Sequence, residues 1–291
     1  MSDNKLTEFF EKQLRQWPDA RQRYDDLTNI RTRGLKELRL QFNPARMVST
    51  GAKIDKRSLA KRPCFLCAAN RPEEQIAIDL GRSELLVNPF PILPRHYTIP
   101  LKEHRTQDVS VLVDEIQKVL DADPALIVFY NGPHCGASAP DHAHLQAGTS
   151  GVLPVQSLWS DDVEWKKTVC ECKIGLVRGY VCPVIALKCS DGMMTHGVSA
   201  LLVRFARMFD MNIITWLEEE EQVILAFPRK KHRPDCYADG VLVSPGAIDM
   251  GGVIITPREE DFETLDYDTV AGILREVSYS EEEVRNYINQ I

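Results

Sequence analysis

A short apolar run, Ala125-Leu126-Ile127-Val128-Phe129, opens into a loop of turn-forming residues, Asn131-Gly132-Pro133-His134-Cys135-Gly136-Ala137-Ser138-Ala139-Pro140. That loop leads to His142, His144 and Gln146. The run is short, bounded by turn signals and rich in β-formers, so it reads as a buried strand. Gly, Pro, Asn and Ser allow tight turns and leave backbone N–H groups able to face an anion. If the segment after the loop is extended, residues two apart share a face, and His142, His144 and Gln146 line one wall. This arrangement suits phosphoryl chemistry. The loop can hold phosphate oxygens, an imidazole can attack phosphorus, and the amide can hydrogen-bond a non-bridging oxygen.

Composition narrows the classes of function. A chain of 291 residues can hold one large or two modest domains and bury a sizeable core. The formal charge of -7 argues against a general nucleic-acid binder, and without a run of eighteen apolar residues no membrane span is expected. The N-terminus, Met1-Ser2-Asp3-Asn4-Lys5, has no apolar signal region. Eight cysteines in such a chain predict reduced thiols or metal ligands in a cytoplasmic protein rather than a disulfide framework.

Residues 3–17 place Leu6, Phe9, Phe10, Leu14 and Trp17 at helical spacing, and Pro18 stops the run. This amphipathic arm is expected to pack on the body or on a second subunit of a homodimer. Tyr24, Leu27 and Ile30 continue it as a short helix up to Gly34, and Leu38, Leu40 and Phe42 alternate as a strand. Leu85–Pro91 and Tyr97–Pro100 read as strands with a proline-marked connection, and Asp108 opens a helix running to Leu120. Helix, strand, strand recurs over Val198–Phe209, Ile213–Leu217 and Gln222–Phe227, which suggests two related α+β halves. The second half contains no His-x-His. Glu218–Glu221 reads as a solvated hairpin tip, and Ser280 with Glu283 as a capping box. The basic cluster Pro228-Arg229-Lys230-Lys231-His232-Arg233 either receives a second phosphate or is a solvated loop. Cys170, Cys172, Cys182 and Cys189 have poor zinc spacing and read as four separate packed thiols. Cys64-Phe65-Leu66-Cys67 can place two thiolates on one metal, a spacing that zinc sites, redox sites and unliganded cysteines spaced so by chance all share.

The His142-x-His144-x-Gln146 segment and its loop resemble the active-site strand of the histidine-triad superfamily, in the branch of galactose-1-phosphate uridylyltransferase and the diadenosine-polyphosphate and GDP-hexose phosphorylases. The likeness is specific over about residues 60–150 and looser beyond. The branch pattern runs Ser-x-Pro-His-x-His, whereas here Asp141 stands between Pro140 and His142.

The resemblance implies an α+β fold of two histidine-triad-like halves, with antiparallel sheets flanked by helices and an N-terminal helical arm. The expected divisions are 1–60 for the arm and first strands, 61–155 for the catalytic half and 156–291 for a degenerate second half. His144 is the implied nucleophile and Gln146 its phosphoryl partner. Asn88, Phe90, Asn131, Gly136, Ser138 and Arg46 are the implied nucleotide- and phosphate-binding residues. A structural zinc on Cys64, Cys67, His104 and His142 is also implied, and no organic cofactor. The implied activity is nucleotidyl transfer from a nucleotide sugar or dinucleotide to phosphate or a sugar phosphate, as in a hexose-1-phosphate uridylyltransferase. A nucleotide-binding module without turnover and a hydrolase using water are the alternatives.

Overall fold

The computed structural model describes residues 3–51, 55–169, 171–189, 196–219 and 221–291. The fold is α+β, with one long antiparallel sheet flanked by helices on both faces. Its strands are β3 (Ala77–Asp79), β4 (Glu84–Val87), β5 (His96–Pro100), β6 (Leu126–Asn131) and β7 (His144–Thr149), then β8 (Val163–Val169), β9 (Cys172–Val177), β10 (Val184–Cys189), β11 (Asp210–Glu218) and β12 (Glu221–Arg229). A smaller sheet holds β1 (Thr32–Leu35), β2 (Leu38–Phe42) and β13 (Val253–Thr256).

The order across the long sheet is β3-β4-β5-β7-β6-β11-β12-β10-β9-β8, every neighbour antiparallel. The run β4-β5-β7-β6 meets its mirror β11-β12-β10-β9 at the β6–β11 pairing, where Asn131 stands opposite Asn212 and Phe129 opposite Ile214. The two halves inferred from the repeated pattern therefore share one sheet.

Both faces are covered, so central strands such as β12 are buried nearly throughout. Alternation assigns each side chain to a face. In β6, Leu126, Val128 and Tyr130 join the core under helices Val113–Ala122 and His196–Met208. Ile127 and Phe129 point into the opposite core, with the small sheet and helix Tyr267–Val277. Leu145 and Ala147 of β7 belong to the first core, so His144 and Gln146 face the second side.

The N-terminal arm forms helices Asp3–Gln16 and Pro18–Thr28, packed on the chain's own body. Phe10 meets Tyr24 and Tyr97 edge-on at ring-centroid distances of 5.0 and 5.8 Å. The Tyr24 hydroxyl donates to the carbonyls of Asn88 and His96. The second helix stops at Thr28 instead of continuing to Gly34. Thr32–Leu35 pairs with β2 as a hairpin turned by Lys36 at φ 54°, because pairing with β2, itself held by the distant β13, outweighs a weak helical period. Strand β2 also pairs in parallel with β13, so the first strands and the C-terminal segment make one sheet.

A second correction concerns the cysteines. Cys172 and Cys189 stand opposite each other in the β9–β10 register, and a disulfide joins them across 4.2 Å between Cα atoms. Cys182 is a buried thiol, and Cys170 lies outside the described residues. Among the described residues no helix is long and apolar enough to cross a membrane.

Candidate active site

The pairing of β5 with β7 begins at Pro100 opposite His144, so the extended segment starts there and not at His142. His142 sits in the preceding bend, its N–H bonded to the Ala139 carbonyl. The expected single wall of three side chains is thus divided. His144 and Gln146 line a cavity of about 600 Å³, while the His142 ring turns away toward Cys64.

The His144 Nδ1 atom lies 2.8 Å from the His142 carbonyl. A carbonyl only accepts, so Nδ1 carries the proton and Nε2 keeps its lone pair. Burial pushes the His144 pKa down to about 4, against the opposing effect of that carbonyl. At neutral pH the ring is uncharged, with the Nε2 lone pair available. Its main chain is held by Gln107, whose Oε1 accepts from the His144 N–H at 2.8 Å and whose Nε2 donates to the His144 carbonyl at 2.9 Å.

Gln146 is oriented by His96. The Ile92 N–H donates to His96 Nδ1 at 3.2 Å, so the neutral imidazole carries its hydrogen on Nε2. That nitrogen is 2.9 Å from Gln146 Oε1. The Gln146 oxygen therefore points at His96, and its NH₂ group is left for the cavity. Burial and then the nearby Arg46 charge push the His96 pKa down to about 3, which keeps the ring neutral and this orientation fixed.

The other residues expected to bind nucleotide or phosphate all border the same cavity. Asn131 Oδ1 accepts from the Asn212 amide and the Ala247 N–H, leaving its own NH₂ on the cavity side. Asn88 donates to Thr98 and accepts from the Phe90 N–H in a side-chain-closed turn. Arg46 donates to the Phe90 carbonyl at 3.0 Å, and burial lowers its pKa to about 10 against the attraction of Asp249. Burial raises the Asp249 carboxyl to about 6, although the N–H groups of Ile255 and Gly246 favour its charged form.

Gly136 has φ +85°, and a Cβ there would lie 2.6 Å from the Pro245 carbonyl. Its N–H donates to His232 Nδ1, so this loop N–H is committed to protein rather than open to an anion. Ser138 borders the cavity, and the intervening Asp141 is pinned by Arg62 at 2.7 Å.

The basic cluster splits. Arg229 is buried and gives its donors to the carbonyls of Val277, Pro245, Lys231 and His232 and to Asn212 Oδ1. Lys231 pairs with Asp235 and Glu276. Only His232 and Arg233 of the six reach the cavity.

At the start of β7, ligand atoms of Cys64, Cys67, His104 and His142 lie within 4.8 Å of one another. Cys64 Sγ is 3.2 Å from His142 Nδ1, and Cys67 Sγ is 3.2 Å from His104 Nδ1. His142 Nε2 is 2.8 Å from the Leu101 carbonyl, which leaves the Nδ1 lone pair facing the sulfurs. Two thiols and two imidazole nitrogens, one of them fixed by a backbone carbonyl, are a donor set that can hold a metal ion. His142 thus serves the cluster with its side chain and His144 with its main chain.

Gln107, His96, Trp17, Gln75 and Asp249 are site residues that the sequence reading passed over. For His96 a signal existed, since it alternates with Tyr97 and Ile99 in phase with Thr98, on the polar side of its strand. For Gln107 in an irregular segment there was none.

A family model described as a domain of unknown function (DUF4922) matches residues 9–149. No curated protein sequence matches the chain. The crystal structure of the yeast Ap4A phosphorylase Apa2 superposes with a TM-score of 0.60 at 15% identity, covering 91% of this chain and 97% of that one. The same yeast enzyme in complex with Ap4A gives 0.56 at 20% identity over 90% and 98%, and its AMP complex gives 0.56 at 16% over 90% and 97%. At these identities the likeness is one of fold.

Proposed function

We propose that the chain is a nucleotidyltransferase acting at the α-phosphorus of a dinucleotide or nucleotide sugar through a covalent nucleotidyl-histidine at His144. The observation that carries this reading is a neutral imidazole lone pair beside an amide NH₂ of fixed orientation in one cavity. In the first step His144 Nε2 forms a bond to phosphorus. The P–O bond to the phosphorylated leaving group breaks, and that oxygen keeps the electron pair. In the second, an oxygen of phosphate or a sugar phosphate attacks phosphorus and the N–P pair returns to Nε2. Each half is a displacement with a good leaving group.

The His142 carbonyl keeps its hydrogen bond to Nδ1–H throughout and stabilises the positive charge the ring carries while nucleotidylated. Gln146 and Asn131 offer amide donors to the phosphoryl oxygens. His232 and Arg233 stand on the wall contributed by the second half, suited to the leaving phosphates or the acceptor. A dinucleoside polyphosphate is the favoured substrate, since the similar yeast fold is crystallised with Ap4A and AMP. Cys64, Cys67, His104 and His142 would hold a structural zinc, which supplies rigidity under the bend that carries His142.

The test is incubation with α-labelled Ap4A and nucleotide sugars, with and without phosphate or a sugar phosphate, followed by isolation of the protein. Label should stay on the wild-type chain in acid-labile form and be absent from His144→Gly. An active His144→Gly variant, or no trapped label during turnover, refutes the covalent route. Product formed at full rate without an acceptor assigns hydrolysis instead.

A further inference from the structure

The ladder between β6 and β7 runs from Leu126 opposite Thr149 to Phe129 opposite Gln146 and then stops. Two residues further, an uninterrupted ladder would set Asn131 against His144, with the His144 N–H donating to the Asn131 carbonyl. In its place the side-chain amide of Gln107 lies between the strands. Its oxygen takes the His144 N–H, and its nitrogen donates to the carbonyls of both Asn131 and His144, each at 2.9 Å. Gln107 is only 4% exposed, and its own N–H is tied to the Pro140 carbonyl. The amide thus stands in for one peptide unit of a missing strand and holds the two strands apart. Without it, the hydrogen-bonding needs of Asn131 and His144 are best met by closing the ladder.

We propose that Gln107 is a positioning residue, a wedge that keeps β6 and β7 open so that Asn131 and His144 both reach the cavity. The kinetic part of this inference rests on the nucleotidyl-transfer reading, and the structural part does not. Closing the ladder turns the His144 ring relative to a bound phosphorus, and a misplacement of about 1 Å costs roughly 100-fold in rate.

Gln107→Ala should lower kcat about 100-fold while KM stays within about threefold, because the displaced groups, the His144 ring and the Asn131 amide, act on the reacting phosphoryl group while the other nucleotide contacts stay in place. Formamide in the assay should restore part of the rate by occupying the vacated amide position. Gln107→Glu offers the two carbonyls no donor while ionised and a single O–H once protonated, so its deficit should deepen as pH rises. Hydrogen exchange at the His144 amide should also change in Gln107→Ala. Wild-type kcat in Gln107→Ala, or a Gln107→Glu deficit indifferent to pH, overturns the wedge. If the wild-type chain transfers no nucleotide, the function proposed above fails, and the wedge is judged on exchange alone. Unaltered protection of the His144 amide then refutes it, and if Gln107→Ala does not fold, the same comparison is made in Gln107→Glu.

Discussion

Replacing Gln146 by Glu tests the site at its most specific point, the direction in which one amide faces. The Ile92 N–H fixes the His96 tautomer, His96 Nε2–H fixes the Gln146 oxygen, and the NH₂ is left for the cavity. Glu is nearly isosteric and can still accept from His96, but it presents an oxygen where the NH₂ had been. Two losses follow. A preorganised donor to a developing phosphoryl charge is worth about 3–4 kcal/mol, or roughly 10²–10³ in rate. A carboxylate about 4 Å from a phosphoryl oxygen adds about 4 kcal/mol of repulsion at an effective dielectric near 20. Gln146→Ala should therefore lose roughly 10²–10³ in kcat/KM and Gln146→Glu up to about 10⁵, since about 1.4 kcal/mol is a factor of ten. The assay is the rate of nucleotidyl-enzyme formation from α-labelled Ap4A in a single turnover, across pH. Protonation of the introduced carboxylate at low pH should narrow the gap between the two variants. Were the amide flipped, with its oxygen toward the cavity, Glu would be the milder change. A Gln146→Glu enzyme as fast as Gln146→Ala, or faster, refutes the tautomer argument.

The remaining expectations are simpler. Because the His144 pKa is lowered to about 4, the acid limb of kcat/KM should fall near pH 4, and a limb near 6.5 contradicts the buried neutral ring. His96 and His144 have folded pKa values below the unfolded value, so the unfolded chain binds more protons and stability falls with pH below about 6.5. By pH 5 each imidazole should cost about 2 kcal/mol in urea titrations. Purified protein should carry one zinc per chain by elemental analysis. Cys64→Ala should lose the metal, lower Tm and slow transfer by loosening the His142 carbonyl, and full activity and Tm without metal would count against this. Gly136→Ala should destabilise by at least about 2 kcal/mol, combining a strained φ with a Cβ 2.6 Å from the Pro245 carbonyl, and an unchanged urea midpoint would contradict it.

What could be read from the chain beforehand was what local pattern encodes. The strand Leu126–Asn131, the glycine loop and the start of β7 follow from an apolar run, turn residues and period two. The α+β class and the two halves follow from a repeated order of elements. The illegible parts depend on register or on a distant partner. Cys172 and Cys189 are seventeen residues apart, and only their opposition in β9–β10 makes them a pair. Thr32–Leu35 is a strand because β2 lies beside it, and β2 is anchored by β13 near the other end of the chain. Arg229 sits in a run of charges that reads as solvated, yet five acceptors surround its guanidinium. Gln107 acts through bonds to His144, 37 positions away, from an irregular segment that no periodicity reports, and the alternation that puts His96 on the polar side of β5 does not name its partner 50 positions away.

The mirrored order of the sheet places His144 and Gln146 in one half and brings part of their cavity wall from the other. Strand β12 occupies in the second half the place that β7 holds in the first. On the face where β7 carries His144 and Gln146, β12 carries Val223, Leu225 and Phe227, packed into the second core. That face can do no phosphoryl chemistry. The second half instead turns its strand end toward its partner. Arg229 fixes the carbonyls of Lys231, His232 and Pro245, and Asn212 bonds the Asn131 side chain. His232 caps the Gly136 N–H, and the Pro245 carbonyl lies where only a glycine can approach. The second half thus carries only apolar side chains on that face of β12 and contributes part of the cavity wall instead. Residues 61–155 hold the imidazole, the amide and most of the cavity lining, and the residues that follow add His232, Arg233, Ser244, Asp249 and Ile255 to its wall.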